Sequence, residues 1–166
     1  GFLDAFLTRD LSPLAISSLL HNKGDGTFTV VTNQPMCSTT AIEETSSWVD
    51  YDNDGDLDLF TARIGSGGPS QIFRNDGAGT FVESTPEPLR SQLGVRLGGS
   101  WADFDNDGDL DLFVPQRSVN PNALFVNQGD GSFASWGGQP AALSDATTGR
   151  HACWGDYDND GHLDLF

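Results

Sequence analysis

Positively charged side chains are scarce in this sequence. Its 166 residues carry eight Lys and Arg against 24 Asp and Glu, giving a formal net charge of -16 and a pI near 4.1. A surface with this excess of negative charge repels phosphate groups, which argues against binding to nucleic acid or to an anionic membrane surface. A cationic partner is the natural expectation.

Long apolar runs are also missing. No stretch approaches the roughly 20 apolar residues that a helix needs to span a bilayer, so we expect no membrane insertion. Gly1 is neither an initiator Met nor the start of a signal peptide, so any targeting segment is expected to be missing or removed. The two cysteines, Cys37 and Cys153, could pair or stay free.

What the sequence does contain is an internal repeat. Trp48, Trp101 and Trp154 lie 53 residues apart. Each opens the phrase Trp-x-Asp-aromatic-Asp-Asn-Asp-Gly-x-Leu-Asp-Leu-Phe. A fixed period of this kind is typical of repeat architectures.

A second phrase keeps nearly the same step. An Asn-x-Gly turn followed by a Phe occurs within residues 19–28, 72–81 and 124–133, and it indicates a hairpin between two strands. Each unit then contains four short strands: one through the Trp, one after the acidic loop, one before the turn and one starting at the Phe. Four antiparallel strands form one blade of a β-propeller, so the sequence predicts an all-β fold of about three such repeats.

Bulky aromatic residues recur inside the predicted strands. We assign Trp48, Phe60, Phe73 and Phe81, with their repeats, to packing between neighbouring sheets, because a lone four-stranded sheet cannot bury such side chains. Apolar residues alternate or occur in runs of two to four, which does not favour helices. A single helical turn could form near Pro88 to Leu93.

The acidic phrase is dense in oxygen ligands. Fifteen of the 24 carboxylates lie at Asp4 and in three nine-residue loops. Carboxylates at loop positions one, three, five and nine can converge, while the Gly at position six lets the backbone turn sharply. The candidate side-chain ligands are Asp50, Asp52, Asp54 and Asp58; Asp103, Asp105, Asp107 and Asp111; and Asp156, Asp158, Asp160 and Asp164.

These residue types favour calcium, at about three sites. Calcium accepts 6 to 8 oxygen ligands at about 2.3 to 2.6 Å, whereas magnesium demands octahedral geometry and zinc prefers His or Cys. Position seven varies, as Asp56, Asp109 and His162, and in such loops it binds through its backbone carbonyl. Metal-free acidic turns are the alternative, but four carboxylates in nine residues would repel one another strongly.

An EF-hand begins with a similar acidic phrase. It needs a bidentate acid at position twelve and flanking helices. Position twelve here is Thr61 in one copy and Val114 in another. The sequence therefore does not fit an EF-hand.

The two phrases together carry a family resemblance. Leu124 to Phe133, with the run Trp-Gly-Asp-Tyr-Asp-Asn-Asp-Gly-His-Leu-Asp-Leu-Phe from Trp154 to Phe166, resemble the FG-GAP and VCBS repeats. These are the blade repeats of integrin α-subunit propellers and of many secreted bacterial and cartilage-type proteins. The resemblance covers essentially the whole chain and implies calcium between the first two strands of each blade. The Phe-Gly and Gly-Ala-Pro signatures are absent, so the VCBS type is closer and integrin-like ligand binding is not implied.

A structural role for calcium follows from its expected position. A bound ion would neutralise the loop and tie two adjacent strands together. Extracellular calcium modules bind at roughly 10⁻⁴ to 10⁻³ M, so we expect an extracellular or secreted protein, with a cell surface or a periplasm as the alternative locations. The resulting hypothesis is a non-enzymatic recognition or adhesion module with a protein or carbohydrate ligand.

Segments that do not follow the repeat pattern form the candidate ligand surface, because binding residues usually lie on loops held by a rigid scaffold. These segments are Asn33 to Thr45, Ser84 to Gly98 and Trp136 to Arg150. Trp136 could be a platform for a sugar ring or could pack. Arg90, Arg96 and Arg150 could receive an anionic group or balance nearby Asp.

The alternative function is a non-catalytic or calcium-dependent part of a secreted polysaccharide hydrolase or lyase. Such an enzyme needs acid or base residues outside the repeat pattern, and none stands out. No Ser-His-Asp or Cys-His grouping has convincing spacing, and His21, His151 and His162 fall on turn or strand positions of the repeat. We therefore predict no catalytic residues.

Both termini fall inside the pattern, because Gly1 to Phe6 matches Gly161 to Phe166. Within a single array we predict a blade lacking its first strand over 1-45, whole blades over 46-98 and 99-150, and two strands of a further blade over 151-166. Closed propellers use about 4 to 8 blades, which indicates an incomplete propeller. We expect either a fragment of a longer chain or self-association in which strands of one copy complete another.

Overall fold

The computed structural model describes residues 2–8, 16–38, 41–64, 68–92, 96–116, 121–138, 143 and 151–166. Thirteen strands and one short 3-10 helix, at Pro35–Ser38, are defined within these ranges. The strands are β1 (Ala5–Leu7), β2 (Ser18–Asn22), β3 (Phe28–Val31), β4 (Ile42–Val49), β5 (Asp58–Ile64), β6 (Gln71–Asn75), β7 (Phe81–Glu83), β8 (Ser100–Ala102), β9 (Asp111–Val114), β10 (Ala123–Asn127), β11 (Phe133–Ser135), β12 (Trp154–Gly155) and β13 (Asp164–Leu165).

The strands form four antiparallel sheets, each made of strands consecutive in the sequence. The first sheet has the order β1-β2-β3, the second β4-β5-β6-β7, the third β8-β9-β10-β11 and the fourth β12-β13. The predicted all-β fold of four-stranded antiparallel units is confirmed, and across the described residues the sheets do not form a closed propeller. The blade boundaries given above stay predictions.

One strand register recurs in the second, third and fourth sheets. A Trp on the first strand of the sheet faces a Leu on its second strand, and the acidic loop connects the two strands. The pairs are Trp48 with Leu59, Trp101 with Leu112, and Trp154 with Leu165. Each acidic loop therefore connects the two strands of an equivalent hairpin.

All three acidic loops lie at one end of the sheets. They connect β4 to β5, β8 to β9 and β12 to β13. Because consecutive strands are antiparallel, the hairpins after β6 and β10 lie at that same end. The unrepeated connections from β3 to β4 and from β7 to β8 lie at the opposite end.

Apolar side chains join neighbouring sheets. Both faces of β5 and β9 are covered, so buried residues run continuously along these strands. Fully burying one such side chain contributes roughly 1.5 to 3 kcal/mol. The cluster between the first two sheets contains Leu19, Met36, Cys37, Leu59, Phe73 and Phe81. The cluster between the second and third contains Val49, Tyr51, Phe60, Ala62, Ile72, Leu89, Leu112, Val114, Ala123, Phe125 and Phe133.

The aromatic residues assigned to packing are found there. Phe60, Phe73 and Phe81 are buried, and the half-buried Trp48 packs against the first cluster. The edge of one ring meets the face of another between sheets, as for Phe60 and Trp101, whose centroids lie 5.7 Å apart at 83°. Such pairs add about 0.5 to 1.5 kcal/mol beyond their burial.

One local feature differs from the sequence-based expectation. The 3-10 helix at Pro35–Ser38 was not predicted, and it inserts Met36 and Cys37 into the first cluster. Near Pro88 the described residues form a hydrogen-bonded turn that agrees with the expected single helical turn, because the Arg90 N–H donates to the Pro86 carbonyl four residues earlier at 3.0 Å. No helix within the described ranges is long and apolar enough to cross a membrane.

The two cysteines are both free. Cys37 is buried, its thiol donates to the Val31 carbonyl at 3.3 Å, and burial raises its pKa. Cys153 is exposed.

Candidate metal centres

Two residues with positive φ shape each acidic loop. Asn and Gly adopt this left-handed conformation more readily than other residues, and they occupy loop positions four and six. The φ values are 56° at Asn53, 60° at Asn106 and 61° at Asn159, and 92° at Gly55, 99° at Gly108 and 89° at Gly161. The loop can thereby fold back on itself within nine residues.

The carboxylate at position one is held by backbone N–H groups. Asp50 Oδ1 accepts the N–H of Asp54 and Asp50 Oδ2 accepts the N–H of Gly55, both at 3.1 Å. The equivalent pairs at Asp103 and Asp156 are 3.0 to 3.1 Å long. Each carboxylate oxygen has a second lone pair, so these bonds orient the group without using up its capacity to bind a cation.

The carboxylate at position nine connects the loop to the next hairpin. Asp58 Oδ2 accepts the N–H of Tyr51 at 3.2 Å, and Asp58 Oδ1 accepts the N–H of Asn75 at 2.7 Å. The Asp58 side chain therefore links the acidic loop to the end of β6, and its movement would disturb both. In the second loop, Asp111 accepts the backbone N–H of Phe104 at 3.1 Å and that of Asn127 at 2.9 Å. In the third loop, Asp164 accepts the backbone N–H of Tyr157 at 3.2 Å.

The loop conformation brings positions one, three and nine together. In each loop, one ligand oxygen from each of the three residues lies within 4.8 Å of the others. Three acidic clusters that can hold a metal ion are thus repeated along the chain. They are Asp50, Asp52 and Asp58; Asp103, Asp105 and Asp111; and Asp156, Asp158 and Asp164.

The first cluster contains an oxygen whose bonding capacity is unused. Asp52 Oδ1 is buried and has no hydrogen-bond partner among the residues that the structure describes. Burial raises the pKa of Asp52, and it raises the pKa of Asp58 to about 6. Ionised carboxylates that have lost water in this way are costly unless a cation compensates them. The cluster therefore has the donor chemistry that a hard cation requires.

Burial acts in the same direction in the second cluster. It raises the pKa of Asp105, and it raises the pKa of Asp111 to about 6. Neither His nor Cys belongs to any of the three clusters. An oxygen-only set of this kind matches Ca²⁺ or Mg²⁺ better than Zn²⁺.

The aspartates at position five are not members of these clusters. Each instead accepts the backbone N–H of position seven through Oδ1. The distances are 3.0 Å for Asp54 from Asp56, 3.0 Å for Asp107 from Asp109, and 2.9 Å for Asp160 from His162. Ligation by the position-five side chains and by the position-seven carbonyls stays a prediction.

The side chain at position seven contacts the neighbouring hairpin. A Cβ added to Gly77 would lie 2.5 Å from Asp56 Oδ2, and one on Gly129 would lie 2.6 Å from Asp109 Oδ2. Asp109 Oδ1 also accepts the side-chain amide of Asn53 from the preceding loop. The side chain of Asp109 thus joins two adjacent acidic loops, although the sequence predicted a role only for the backbone carbonyl at this position.

A functional position that sequence reasoning missed is the Asn of the hairpin phrase. Asn75 Nδ2 donates to the Leu57 carbonyl at 3.2 Å, and Asn127 Nδ2 donates to the Leu110 carbonyl at 3.1 Å. These bonds fix position eight of the loop beside the ligand at position nine. The repetition of Asn in the second phrase was the available signal.

The residues outside the acidic loops that were considered for ligand binding lie in different environments. Trp136 is half-buried, and its ring and that of Phe104 pack edge to face with centroids 5.5 Å apart, which supports packing. Arg90 pairs with Glu83 at 3.3 Å. Arg96 is completely buried, its guanidinium nitrogens have no hydrogen-bond partner within the described ranges, and burial lowers its pKa to about 10. It is therefore not a surface receptor for anions. Arg150 lies outside the described residues.

Known proteins resemble this chain in both sequence and fold. The model of the FG-GAP-like repeat matches residues 1–61, 50–114 and 103–166. Cartilage acidic protein 1 of Xenopus tropicalis is 26% identical over 179 residues, which cover 89% of this chain and 24% of that protein. The chain thus spans about a quarter of this curated relative.

A solved structure shares the fold at low sequence identity. It is an Agrocybe aegerita lectin that specifically recognises non-reducing terminal N-acetylglucosamine. The identity is 17% and the TM-score is 0.57, over 98% of this chain and 46% of the lectin chain. The three family matches together cover the sequence from end to end. The chain belongs to the FG-GAP-like repeat family.

Proposed function

We propose that this chain is a calcium-binding propeller module in which calcium has a structural role, and that it serves extracellular recognition or adhesion. The observation that carries the proposal is the convergence of carboxylates at positions one, three and nine in three successive loops. The buried Oδ1 of Asp52, which accepts no hydrogen bond from the described part of the chain, adds an acceptor that a cation would satisfy.

Calcium suits the chemistry of the clusters better than magnesium does. Each cluster brings three carboxylates together from one short loop, and calcium accepts about 6 to 8 oxygen ligands in flexible geometry. Magnesium needs tighter octahedral geometry at about 2.0 to 2.1 Å and dehydrates reluctantly. An irregular loop with carboxylates from positions one, three and nine matches the tolerant coordination of calcium.

The structural role follows from the connections of the ligands. Asp50 and Asp52 belong to the loop, whereas Asp58 begins β5 and accepts the N–H of Asn75 from the next hairpin. An ion shared by these carboxylates would join the loop to two strands of its sheet. At a concentration one hundred times its Kd, a ligand specific for the folded state stabilises it by about 2.7 kcal/mol per site.

Recognition of a protein or glycan is supported more indirectly. One relative is named as a cartilage acidic protein, and one protein of similar fold recognises N-acetylglucosamine. We propose extracellular function because the relative's name places it with cartilage and because extracellular calcium modules bind at about 10⁻⁴ to 10⁻³ M. A protein or carbohydrate ligand is the corresponding proposal for this chain.

We also propose that the module is not an enzyme. The carboxylates at positions one and nine accept backbone N–H groups that shape the loop. His21 lies 3.1 Å from Asp4, which also accepts the N–H of Asn22 and so repeats the bonding of loop position nine. These groups have structural partners in the repeat. Calcium-dependent degradation of a polysaccharide would contradict this part of the proposal.

Calorimetric titration tests the metal assignment. The full chain, freed of metal by a chelator and then dialysed, should bind about three calcium ions, one for each cluster. Magnesium at the same concentrations should release much less heat and should not block calcium. Equal binding of the two ions, or no calcium binding up to several millimolar, would overturn the assignment.

Two further assays test recognition and assembly. A glycan array and pull-down from extracellular matrix should give calcium-dependent binding without turnover. Sedimentation with and without chelator should show whether copies associate to complete the propeller. If chelator leaves the binding profile unchanged, recognition does not depend on calcium in these loops.

A further inference from the structure

Two buried residues of the third sheet carry polar atoms that lack partners. Arg96 and Gln116 face each other across an antiparallel bridge, so their side chains lie on the same face of the sheet. Their exposed fractions are 0% and 1%. The three guanidinium nitrogens of Arg96 and the Oε1 of Gln116 make no hydrogen bond within the described part of the chain. A buried cation and a buried acceptor are therefore both unsatisfied at one place.

The second sheet contains the equivalent pair, and there the guanidinium has a countercharge. Arg96 and Gln116 come 53 positions after Glu43 and Arg63, which also face each other across two antiparallel strands. Arg63 Nη2 lies 3.7 Å from Glu43 Oε1, and both residues are buried. The second sheet thus supplies a carboxylate for its buried guanidinium from within the chain.

In the third sheet the guanidinium is kept and the carboxylate is lost. Arg96 occupies the position of Glu43, and Gln116 occupies the position of Arg63. Arg96 forms no ion pair with any described residue, and burial lowers its pKa only to about 10. Arg96 therefore stays charged near neutral pH, although no described residue supplies its countercharge. Such a buried charge is costly unless an anion accompanies it.

A repeated serine adds a third polar group. Ser17, which directly precedes β2, donates its hydroxyl hydrogen to Glu43. Its equivalent 53 positions later is Ser70, which is also buried. Ser70 Oγ accepts the N–H of Arg63 at 3.4 Å, and the Arg63 carbonyl accepts the N–H of Arg96 at 3.3 Å. The backbone of one residue thus holds both Ser70 and Arg96, and the Ser70 hydroxyl corresponds to one that donates to a carboxylate.

These three groups define the chemistry of a ligand. The planar guanidinium of Arg96 matches a carboxylate, which accepts two parallel hydrogen bonds from it. Water would satisfy the hydrogen bonds but would supply no countercharge, and chloride would supply charge but no donor for Gln116 Oε1. A carboxylate with an adjacent hydroxyl supplies both. The complete burial of Arg96 restricts the ligand to a small molecule.

We propose that Arg96, Ser70 and Gln116 bind one small hydroxycarboxylate, of the class of glycolate, between the second and third sheets. Its carboxylate accepts from Arg96 and Ser70, and its hydroxyl donates to Gln116. Gln116 lies on the same face as Val114, which belongs to the cluster between these two sheets. The site is at the end of the sheets opposite the acidic loops and shares no residue with them, so it does not depend on the calcium assignment.

Equilibrium dialysis of the full chain against radiolabelled glycolate, at pH 7.5 with calcium and sodium chloride, tests the proposal. This method tolerates the slow exchange that a buried site imposes. One glycolate per chain is expected, with a Kd between about 0.1 and 5 mM, as suits a small ligand held by one ion pair and a few hydrogen bonds. Acetate, which lacks the hydroxyl, should compete at least tenfold more weakly than unlabelled glycolate.

Three variants make the result specific. Gln116→Glu places a carboxylate opposite Arg96, so it should abolish glycolate uptake and raise the Tm without glycolate by at least about 3 °C. Arg96→Met should also abolish uptake. Arg90→Met removes the same charge from an exposed residue of the same connection and should leave uptake unchanged.

Several results would overturn the proposal. One is the absence of glycolate uptake by the unsubstituted chain, which would leave water as the partner of Arg96. Another is equal uptake by the Gln116→Glu variant, or a lower Tm in that variant. Acetate that competes as well as glycolate would exclude the hydroxycarboxylate, because the hydroxyl would then have no part in binding.

Discussion

The indole N–H of Trp101 donates to the hydroxyl of Ser47 at 3.0 Å. Ser47 directly precedes Trp48, which is the equivalent of Trp101 in the preceding sheet. Trp154 repeats the arrangement with the carbonyl of Ser100 at 3.4 Å. The first strand of one sheet is therefore fixed by the first strand of its neighbour, and adjacent repeats share their stability.

Substitution Ser47→Ala tests this connection. It removes the acceptor of a partly buried indole N–H, so the free energy of unfolding should fall by about 1 kcal/mol. Ser46→Ala, on the opposite side of β4, should have a smaller effect. Urea unfolding followed by circular dichroism measures both. Equal effects of the two variants would show that the bond contributes nothing of its own.

Substitution Asp52→Ala should remove one calcium site and leave the other two. Asp52 belongs to the first cluster alone, and Asp105 and Asp158 hold the same position in the others. Calorimetry should therefore count one calcium ion fewer. The control Glu44→Gln also removes one negative charge, but Glu44 is an exposed residue of β4 outside the acidic loops, so its count should not change. Loss of all sites in Asp52→Ala would mean that the loops do not bind independently.

The variable position seven gives a contrasting prediction in the third loop. If His162 contributes only its backbone carbonyl, His162→Ala should change calcium affinity less than twofold. Asp164→Asn, at a member of the cluster, should weaken that site at least tenfold. Calcium titrations of both variants distinguish the roles. A large loss in His162→Ala would assign a ligand to its side chain.

The pH dependence of stability follows from the buried carboxylates. Burial raises the pKa of Asp58 and of Asp111 to about 6, from 3.8 for the ordinary carboxyl. Folding of the calcium-free chain thus favours their protonated form. Their contribution is fully present below about pH 4 and is lost as the pH rises through about 6.

Calcium should reverse this trend, because it binds the ionised carboxylates. The increase in Tm on adding calcium should be large at pH 7.5 and small at pH 5, where protons compete for the same oxygens. Thermal unfolding in chelator and in calcium at the two pH values measures the difference. In the double variant Asp58→Asn, Asp111→Asn, most of this difference between the two pH values should be lost. A calcium effect as large at pH 5 as at pH 7.5 would contradict the assignment.

The strands and the loop could be predicted because their signals are local. Trp, the acidic phrase and Leu-Asp-Leu-Phe stand in one continuous segment, and this segment forms the hairpin in which Trp48 pairs with Leu59. The convergence of positions one, three and nine follows from Asn and Gly at fixed places in the same segment. Nothing distant in the sequence was needed to infer them.

Contacts between repeats could not be predicted in the same way. Asn127 and Tyr51 are 76 residues apart, and their bond depends on how two sheets stack. The same stacking buries Arg96, which the sequence presented as a surface residue. The sequence also shows four equivalent-looking carboxylates in each loop, whereas the structure directs Asp54 towards the Asp56 N–H. Side-chain direction separates these roles, and the repeat pattern does not contain it.

Thermal unfolding of the full chain at pH 7.5, with excess chelator and with 5 mM calcium, tests the central claim most directly. If calcium joins each loop to its sheet, the ion should raise the Tm by at least about 5 °C, and magnesium should not replace it. Chelator should return the Tm to its starting value. A Tm that is the same in calcium and in chelator would contradict a structural role for calcium in these loops.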